Sequence, residues 1–140
     1  MSVLSILKHS QTIAVVGLSP NPERASYRIS QYMQAQGYRI VPIHPAASEV
    51  LGEKAYPTLT AAAQSLAIDL VNVFRRSEDI PPIANEAVAI GAKALWLQLG
   101  IENDAACAHA ASHGLETVQD LCLKVAHAQL LRAGKLSARH

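Results

Sequence analysis

An apolar run, Thr12-Ile-Ala-Val-Val16, breaks at Gly17 and leads through Leu18, Ser19, Pro20-Asn21-Pro22 and Arg24 to Ser26-Tyr27, where a helical pattern begins. A strand that turns at a glycine into a helix has phosphate-binding geometry. The glycine lets a ligand approach the backbone closely, while the free N–H groups and positive dipole end of the helix attract an anion. The loop lacks the G-x-G-x-x-G spacing of ordinary dinucleotide sites, so it points to a nucleotide-like ligand without specifying NAD.

Other residues with chemical potential are read against that loop. Arg75 and Arg76 directly follow the apolar run that ends at Phe74. The planar fork of a guanidinium suits a pair of phosphate oxygens, and the competing reading is a solvated loop pair. Arg24, between Gly17 and the helix, has a similar case. Ser19 and Ser26 can donate to phosphate, although a serine before a helix is more often its cap, and Ser26 can serve both ends. His44 ends the second strand, where a dinucleotide enzyme places an acid on the ribose hydroxyls. A histidine there, followed by Pro45, argues against NAD and leaves adenine stacking or a phosphate contact, with positioning by Pro45 as the structural alternative. Gln98 and Gly100 follow Trp96 at the end of another strand, where Gln98 can reach ligand amides.

Two weaker signals remain. His109 and His113 have the i, i+4 spacing of a metal pair, with Cys107 nearby, but no H-E-x-x-H acid accompanies them, and a solvated helix face explains them better. Cys122 beside Asp120 follows the last strand. A redox role is conceivable there, and a buried small apolar side chain is the better reading. Two cysteines with no C-x-x-C motif fit a reducing cytoplasm.

These residues need a scaffold, and five apolar runs supply it: Thr12 to Val16, Tyr38 to Ile43, Leu70 to Phe74, Ala94 to Leu97 and Leu115 to Val118. They alternate with helical patterns. Their near-continuous Val, Ile and Leu content is that of strands covered on both faces, which predicts a doubly wound parallel α/β sheet of five to six strands. A small edge strand near Glu53 to Tyr56 makes six, in the order 3-2-1-4-5-6. That order sets the first strand beside the Leu70 strand at the topological switch point, so Gly17 to Ser26 and Arg75-Arg76-Ser77 line one crevice.

The helices are bracketed by their punctuation. Ser26 is expected to cap a helix ended by Gly37. Ser77 or Asp79 is expected to cap one with Pro81 and Pro82 in its first turn and Gly91 at its end, and Asn103 one that stops at Gly114. The last runs from about Lys124 to Arg132 with Val125 and Leu130 or Leu131 inward, then frays from Gly134 to His140.

With 140 residues and half of them hydrophobic, the chain suits one domain, its core spanning about 12–131. A net charge of +1 without a basic stripe argues against a nucleic-acid partner. No apolar run is long enough to cross a membrane, and Met1 to Leu7 lacks the basic leader and cleavage site of a signal peptide.

The loop Gly17-Leu-Ser-Pro-Asn-Pro-Glu-Arg-Ala-Ser26, with Phe74-Arg75-Arg76, Trp96-Leu-Gln-Leu-Gly100 and Asp120-Leu-Cys-Leu-Lys124, resembles the small stand-alone CoA-binding proteins. Those are similar to the amino-terminal domain of succinyl-CoA synthetase α subunits. The resemblance runs from Ile13 to about His127. It implies a Rossmann-like domain that binds CoA or acyl-CoA. Gly17, Leu18, Ser19, Pro20 and Arg24 would meet the phosphates, the end of the second strand at His44 the nucleotide side, and Leu97, Gln98 and Leu99 the pantetheine arm. Ser26, Phe74, Arg75 and Arg76 complete the expected site. Leu121 stands where many relatives carry a basic residue. The synthetase keeps its phosphohistidine in a second domain that this sequence does not include, so ligase activity does not carry over. The expectation is a cytoplasmic CoA-binding protein without a catalytic centre, a carrier or a sensor. A small NAD(P)-linked or thiol-active reductase and a CoA-responsive interaction module are the alternatives.

Overall fold

The computed structural model describes residues 3–139. Helix α1 (Val3–His9) leads into β1 (Thr12–Val16), α2 (Ala25–Ala35) and β2 (Arg39–Ile43). A hairpin of β3 (Glu49–Val50) and β4 (Glu53–Lys54), helix α3 (Leu59–Ala63) and β5 (Leu70–Val73) come next. A 3-10 turn at Ser77–Asp79 opens α4 (Ile80–Ala89), followed by β6 (Ala94–Leu97), α5 (Asp104–Ser112), β7 (Glu116–Val118) and α6 (Leu123–Arg132).

The main sheet is five-stranded and parallel, ordered β2-β1-β5-β6-β7. It is the doubly wound α/β sheet that the apolar runs predict, with β1 and β5 adjacent at the reversal of strand order. Successive residues of each strand go to opposite faces. Ala14, Val16, Val71, Val73, Leu95 and Leu97 pack toward α3, α4 and α5, whereas Ile13, Val15, Leu70, Ala94 and Trp96 pack toward α1, α2 and α6. With both faces covered, β1, β2, β5 and β6 are mostly apolar and buried along all or nearly all of their length, while the edge strand β7 is half-buried.

The expected sixth strand shrinks to one parallel bridge between Tyr56 and Ile43. The reason is local. Leu51 (φ 56°) and Gly52 (φ 74°) form a two-residue turn that folds Glu49–Val50 onto Glu53–Lys54 as an antiparallel hairpin, so these residues pair with each other rather than with the sheet edge.

Asn103 caps α5 as expected, its side chain accepting from the Ala106 N–H, and Gly37, Gly91 and Gly114 follow their helices at positive φ. Other expectations are corrected. Residue Arg24, not Ser26, stands at the N-cap of α2, and Ser26 lies inside the first turn. Val125 is exposed, because α6 turns Leu123, Ala126 and His127 inward instead. The tail does not fray at Gly134. Leu136 packs on the core, and the Arg139 guanidinium donates to the carbonyls of Leu7 (2.8 Å), Lys8 (3.0 Å) and Ser10 (2.7 Å) while stacking on Tyr38. His140 and Met1, which close the expected tail and open the apolar start, lie outside the described residues.

At the amino-terminal edge of the sheet, Asp69 accepts from the Gln11 and Thr12 N–H groups, both at 2.9 Å, and pairs with Lys93 at 3.3 Å. Burial pushes its carboxyl up, but these donors outweigh burial and hold it below the usual range. The start of β1 is thereby locked to the start of β5. The opposite, carboxyl-terminal edge is left for the loops.

Candidate functional site

At the end of β1 the chain is held from both sides. The Gly17 N–H donates to Ile43 O of β2 (3.1 Å), and the Phe74 N–H after β5 donates to Val16 O (2.9 Å). Gly17 has φ +86°, and a Cβ there would lie 2.5 Å from Phe74 O. Only glycine satisfies both the conformation and the closeness of the neighbouring strand. Leu18 then turns into the core and is fully buried.

The rest of the loop is a ladder of side chain to backbone bonds. Ser26 Oγ accepts from the Ser19 N–H, Ser19 Oγ from the Asn21 N–H, and Asn21 Oδ1 from the Glu23 N–H, each at 3.0 Å. The Arg28 guanidinium donates to Glu23 O. Ser26 therefore fixes the loop rather than capping the helix. No side chain caps α2, so its positive end faces the space in front of Ser19 and Arg24.

Two adjoining clefts open over this edge. The smaller, about 390 Å³, is lined by Gly17, Ser19, Arg24, Ala25, Ser26 and Phe74. The larger, about 630 Å³, is lined by Gly17, Ser19, His44, Pro45, Phe74, Arg75, Arg76, Asp79 and Ile101. Gly17, Ser19 and Phe74 are common to both, so the two form one bipartite groove.

His44 is fixed by its own turn. Its Nδ1 accepts from the N–H groups of Ala46 (3.0 Å) and Ala47 (2.9 Å), which puts the ring proton on Nε2 and makes that edge a donor. Across the cleft, Asp79 lies 3.7 Å from Arg75 and accepts from Arg76 at 3.2 Å. Its hydrogen bond and charge, with the charge of Glu78, bind the Arg76 proton more firmly than usual. The edge of β6 and β7 carries the opposite sign. There Asp120 pushes the Glu102 carboxyl up, and Asp104 adds to the effect.

Of the residues singled out from sequence, Gly17, Ser19, Arg24, Ser26, His44, Phe74, Arg75 and Arg76 line the groove. Leu18 and Leu97 are core side chains with no exposure. Gln98 is buried, donating to Asn72 Oδ1 (2.7 Å) and accepting from the Leu123 N–H (3.3 Å), so its amide braces β5 against α6 rather than reaching into the groove. Pro20 and Leu99 are exposed outside the cleft linings. Sequence reasoning missed Pro45 and Ile101 as lining residues, and took Asp79 only as a cap. Its spacing from Arg75 and Arg76, i+4 and i+3, was the available signal for the ion pairs.

The remaining candidates lie elsewhere. The His109 and His113 rings meet edge to face 4.8 Å apart on an exposed helix side. Among the described residues no group of three His, Cys, Asp or Glu is arranged to hold a metal ion. Cys107 is buried, and burial followed by the Asp104 charge pushes its thiol up. Cys122 is half-buried at the N-cap of α6. Among the described residues no helix is long and apolar enough to cross a membrane.

Comparison with known proteins places this groove in context. A family model described as a CoA binding domain matches residues 11–128. The uncharacterized protein YneT of Bacillus subtilis (strain 168) is 44% identical over 126 residues, which span 90% of this chain and 92% of that protein. The structure of a hypothetical protein from Pyrococcus horikoshii OT3 superposes with a TM-score of 0.87 at 32% identity, covering 92% of this chain and 89% of that one. The dinucleotide-forming acetyl-coenzyme A synthetase 1 of Ca. Korarchaeum cryptofilum, in its apo form, shares the fold. Its TM-score is 0.71 at 21% identity, over 84% of this chain and 28% of that one.

Proposed function

The chain belongs to the CoA-binding domain family, and from that premise we propose that it binds CoA or acyl-CoA and carries out no acyl chemistry of its own, as a carrier or a sensor. The observation that supports this reading is the bipartite groove at the switch point. One cleft lies at the uncapped start of α2 beside Arg24, and its neighbour holds Arg75, Arg76 and the donor edge of His44. A ligand with anionic groups at separate positions suits that layout, and CoA carries a diphosphate and a separate phosphate monoester. An acid for ribose hydroxyls, the usual mark of NAD recognition, is replaced by His44 at the end of β2.

Among the described residues the groove's hydroxyls, Ser19 and Ser26, and the His44 Nδ1 each bond to backbone N–H groups rather than to one another, and both cysteines lie outside its lining. That supports a binding role for the chain. The test is thermal melting with CoA and NAD at matched concentration. A ligand at a hundredfold excess over its Kd stabilises by about 2.7 kcal/mol, and CoA is expected to raise the melting temperature more than NAD. Equal or greater stabilisation by NAD would sink the CoA reading.

A further inference from the structure

Both arginines of the larger cleft already have an anionic partner within the protein. Asp79 Oδ2 lies 3.7 Å from Arg75 Nη2 and accepts from Arg76 Nε at 3.2 Å, and its Oδ1 accepts from Arg76 Nη2 at 3.5 Å. The same carboxylate lines the cleft together with Gly17, His44 and Phe74.

Its position is set by the backbone. Asp79 closes the 3-10 turn, its N–H donating to Arg76 O at 2.9 Å. That turn is tied to the loop after β6, because Ser77 Oγ accepts from the Glu102 N–H (3.0 Å) and Ser77 O from the Asn103 amide (3.1 Å). The carboxylate is therefore anchored on a short stem and 25% exposed, whereas the Arg75 and Arg76 side chains are 47% and 74% exposed on long ones. Ion pairs this open to water are weak and exchangeable.

We propose that Asp79 is a built-in competitor for a phosphate monoester of the ligand: it holds Arg75 and Arg76 in the unliganded protein and gives them up when that phosphate enters between them. The inference rests on the CoA reading and deepens it. Carboxylate and phosphate oxygens both fit the guanidinium fork. In the diphosphate each phosphorus carries one negative charge, as the carboxylate does, so exchange with either of its phosphoryl groups gains no charge. A monoester carries about 1.5 to 2 charges near neutral pH and offers three acceptor oxygens, enough to draw both arginines away. In CoA that group is the 3′-phosphate, which dephospho-CoA lacks.

Calorimetric titration of the full chain with CoA and with dephospho-CoA tests the exchange in the parent, Asp79→Asn, Glu78→Gln and the double variant Asp79→Asn with Arg76→Ala. Asp79 makes no side-chain cap bond to α4, so asparagine removes the charge without removing a cap, and Asp79→Ser repeats the charge removal with a smaller side chain. Asp79→Asn is expected to tighten CoA about three- to tenfold, the scale of two exposed pairs, and to leave dephospho-CoA within about twofold. Measured against Arg76→Ala, the gain from Asp79→Asn in the double variant should shrink, since only the longer pair with Arg75 is then released. Glu78→Gln removes a neighbouring charge that acts on Arg76 without a hydrogen bond, and is expected to change CoA affinity less than about twofold.

Unchanged or weaker CoA binding by Asp79→Asn overturns the inference, since the carboxylate would then be positioning the arginines. An equal gain for dephospho-CoA, or an equal gain in Glu78→Gln, overturns it as well. If the parent gives no heat with CoA, the functional reading itself fails and this inference falls with it. A parent that binds CoA beside an unaltered Asp79→Asn refutes the inference alone.

Discussion

Replacing Gly17 by alanine tests the groove at its narrowest point. Two costs add. At φ +86° an L-residue is strained by about 1–2 kcal/mol. The new methyl would also stand 2.5 Å from Phe74 O and 3.2 Å from Arg75 Cδ, and Phe74 cannot simply withdraw, because its N–H is bonded to Val16 O across the sheet. Together these put the destabilisation at about 2–4 kcal/mol, or a melting temperature about 6–12 °C lower for a chain of this size. Gly52→Ala serves as the control. Gly52 also has positive φ, +74°, but nothing lies within 4 Å of a Cβ there, so only the backbone strain applies. Because Phe74 and Arg75 line the groove, Gly17→Ala should also weaken CoA about tenfold, equivalent to about 1.4 kcal/mol. Differential scanning calorimetry and titration of both variants decide the matter. Gly17→Ala melting no lower than Gly52→Ala, with CoA affinity unchanged, would refute the idea that close approach of β5 shapes the site.

Arg24→Ala and Arg76→Ala each remove a charge-assisted contact worth about 1.5–3 kcal/mol, so CoA affinity should fall about ten- to a hundredfold for whichever engages; if both bind like the parent, the phosphates lie elsewhere. Burial and then the Arg139 charge lower the pKa of His127, so the unfolded chain binds that proton more readily. Stability from this group is complete above about pH 6.5 and is lost as pH falls below it, and melting scans should show a shallower acid slope in His127→Gln than in the parent. Incubation with acetyl-CoA, succinyl-CoA or CoA disulfide should release no thiol and leave no adduct; product that disappears in Cys122→Ser would make the chain an enzyme.

How much of this was legible in the sequence depended on whether the determinant was local. The parallel strands were, because burial on both faces writes itself as unbroken Val, Ile and Leu in runs such as Thr12–Val16. The edge strand was not, since Tyr56 makes a single bridge while the positive φ of Leu51 and Gly52 diverts its neighbours into a hairpin. Helix α1 is seven residues long, too short for a periodic signal, and its Ile6 and Leu7 are buried by elements distant in sequence. In the site, Gly17 and the arginines were readable from their place after strands. The fate of Gln98 was not, because its partners, Asn72 and the Leu123 N–H, are 26 and 25 residues away. Val125 looked inward by composition alone, and the helix rotation that exposes it is set by where Leu123 and His127 dock.

The docking of Arg139 also orders events in time. Its bonds to Leu7, Lys8 and Ser10 close loops of 132, 131 and 129 residues, the largest separations among the side-chain hydrogen bonds of the described residues. Contacts of such sequence separation carry the greatest loop-closure cost and are made late, after shorter-range pairings such as β1 with β2 have formed. During synthesis α1 can meet Tyr38 early, through the bond from its hydroxyl to Leu7 O, but its surroundings are completed only when α6 and the segment after it emerge. A contact absent from the transition state governs escape from the native basin rather than entry into it. Arg139→Ala should accordingly hasten unfolding in denaturant jumps while leaving the refolding rate nearly unchanged, which makes this one guanidinium a determinant of how long the folded molecule lasts.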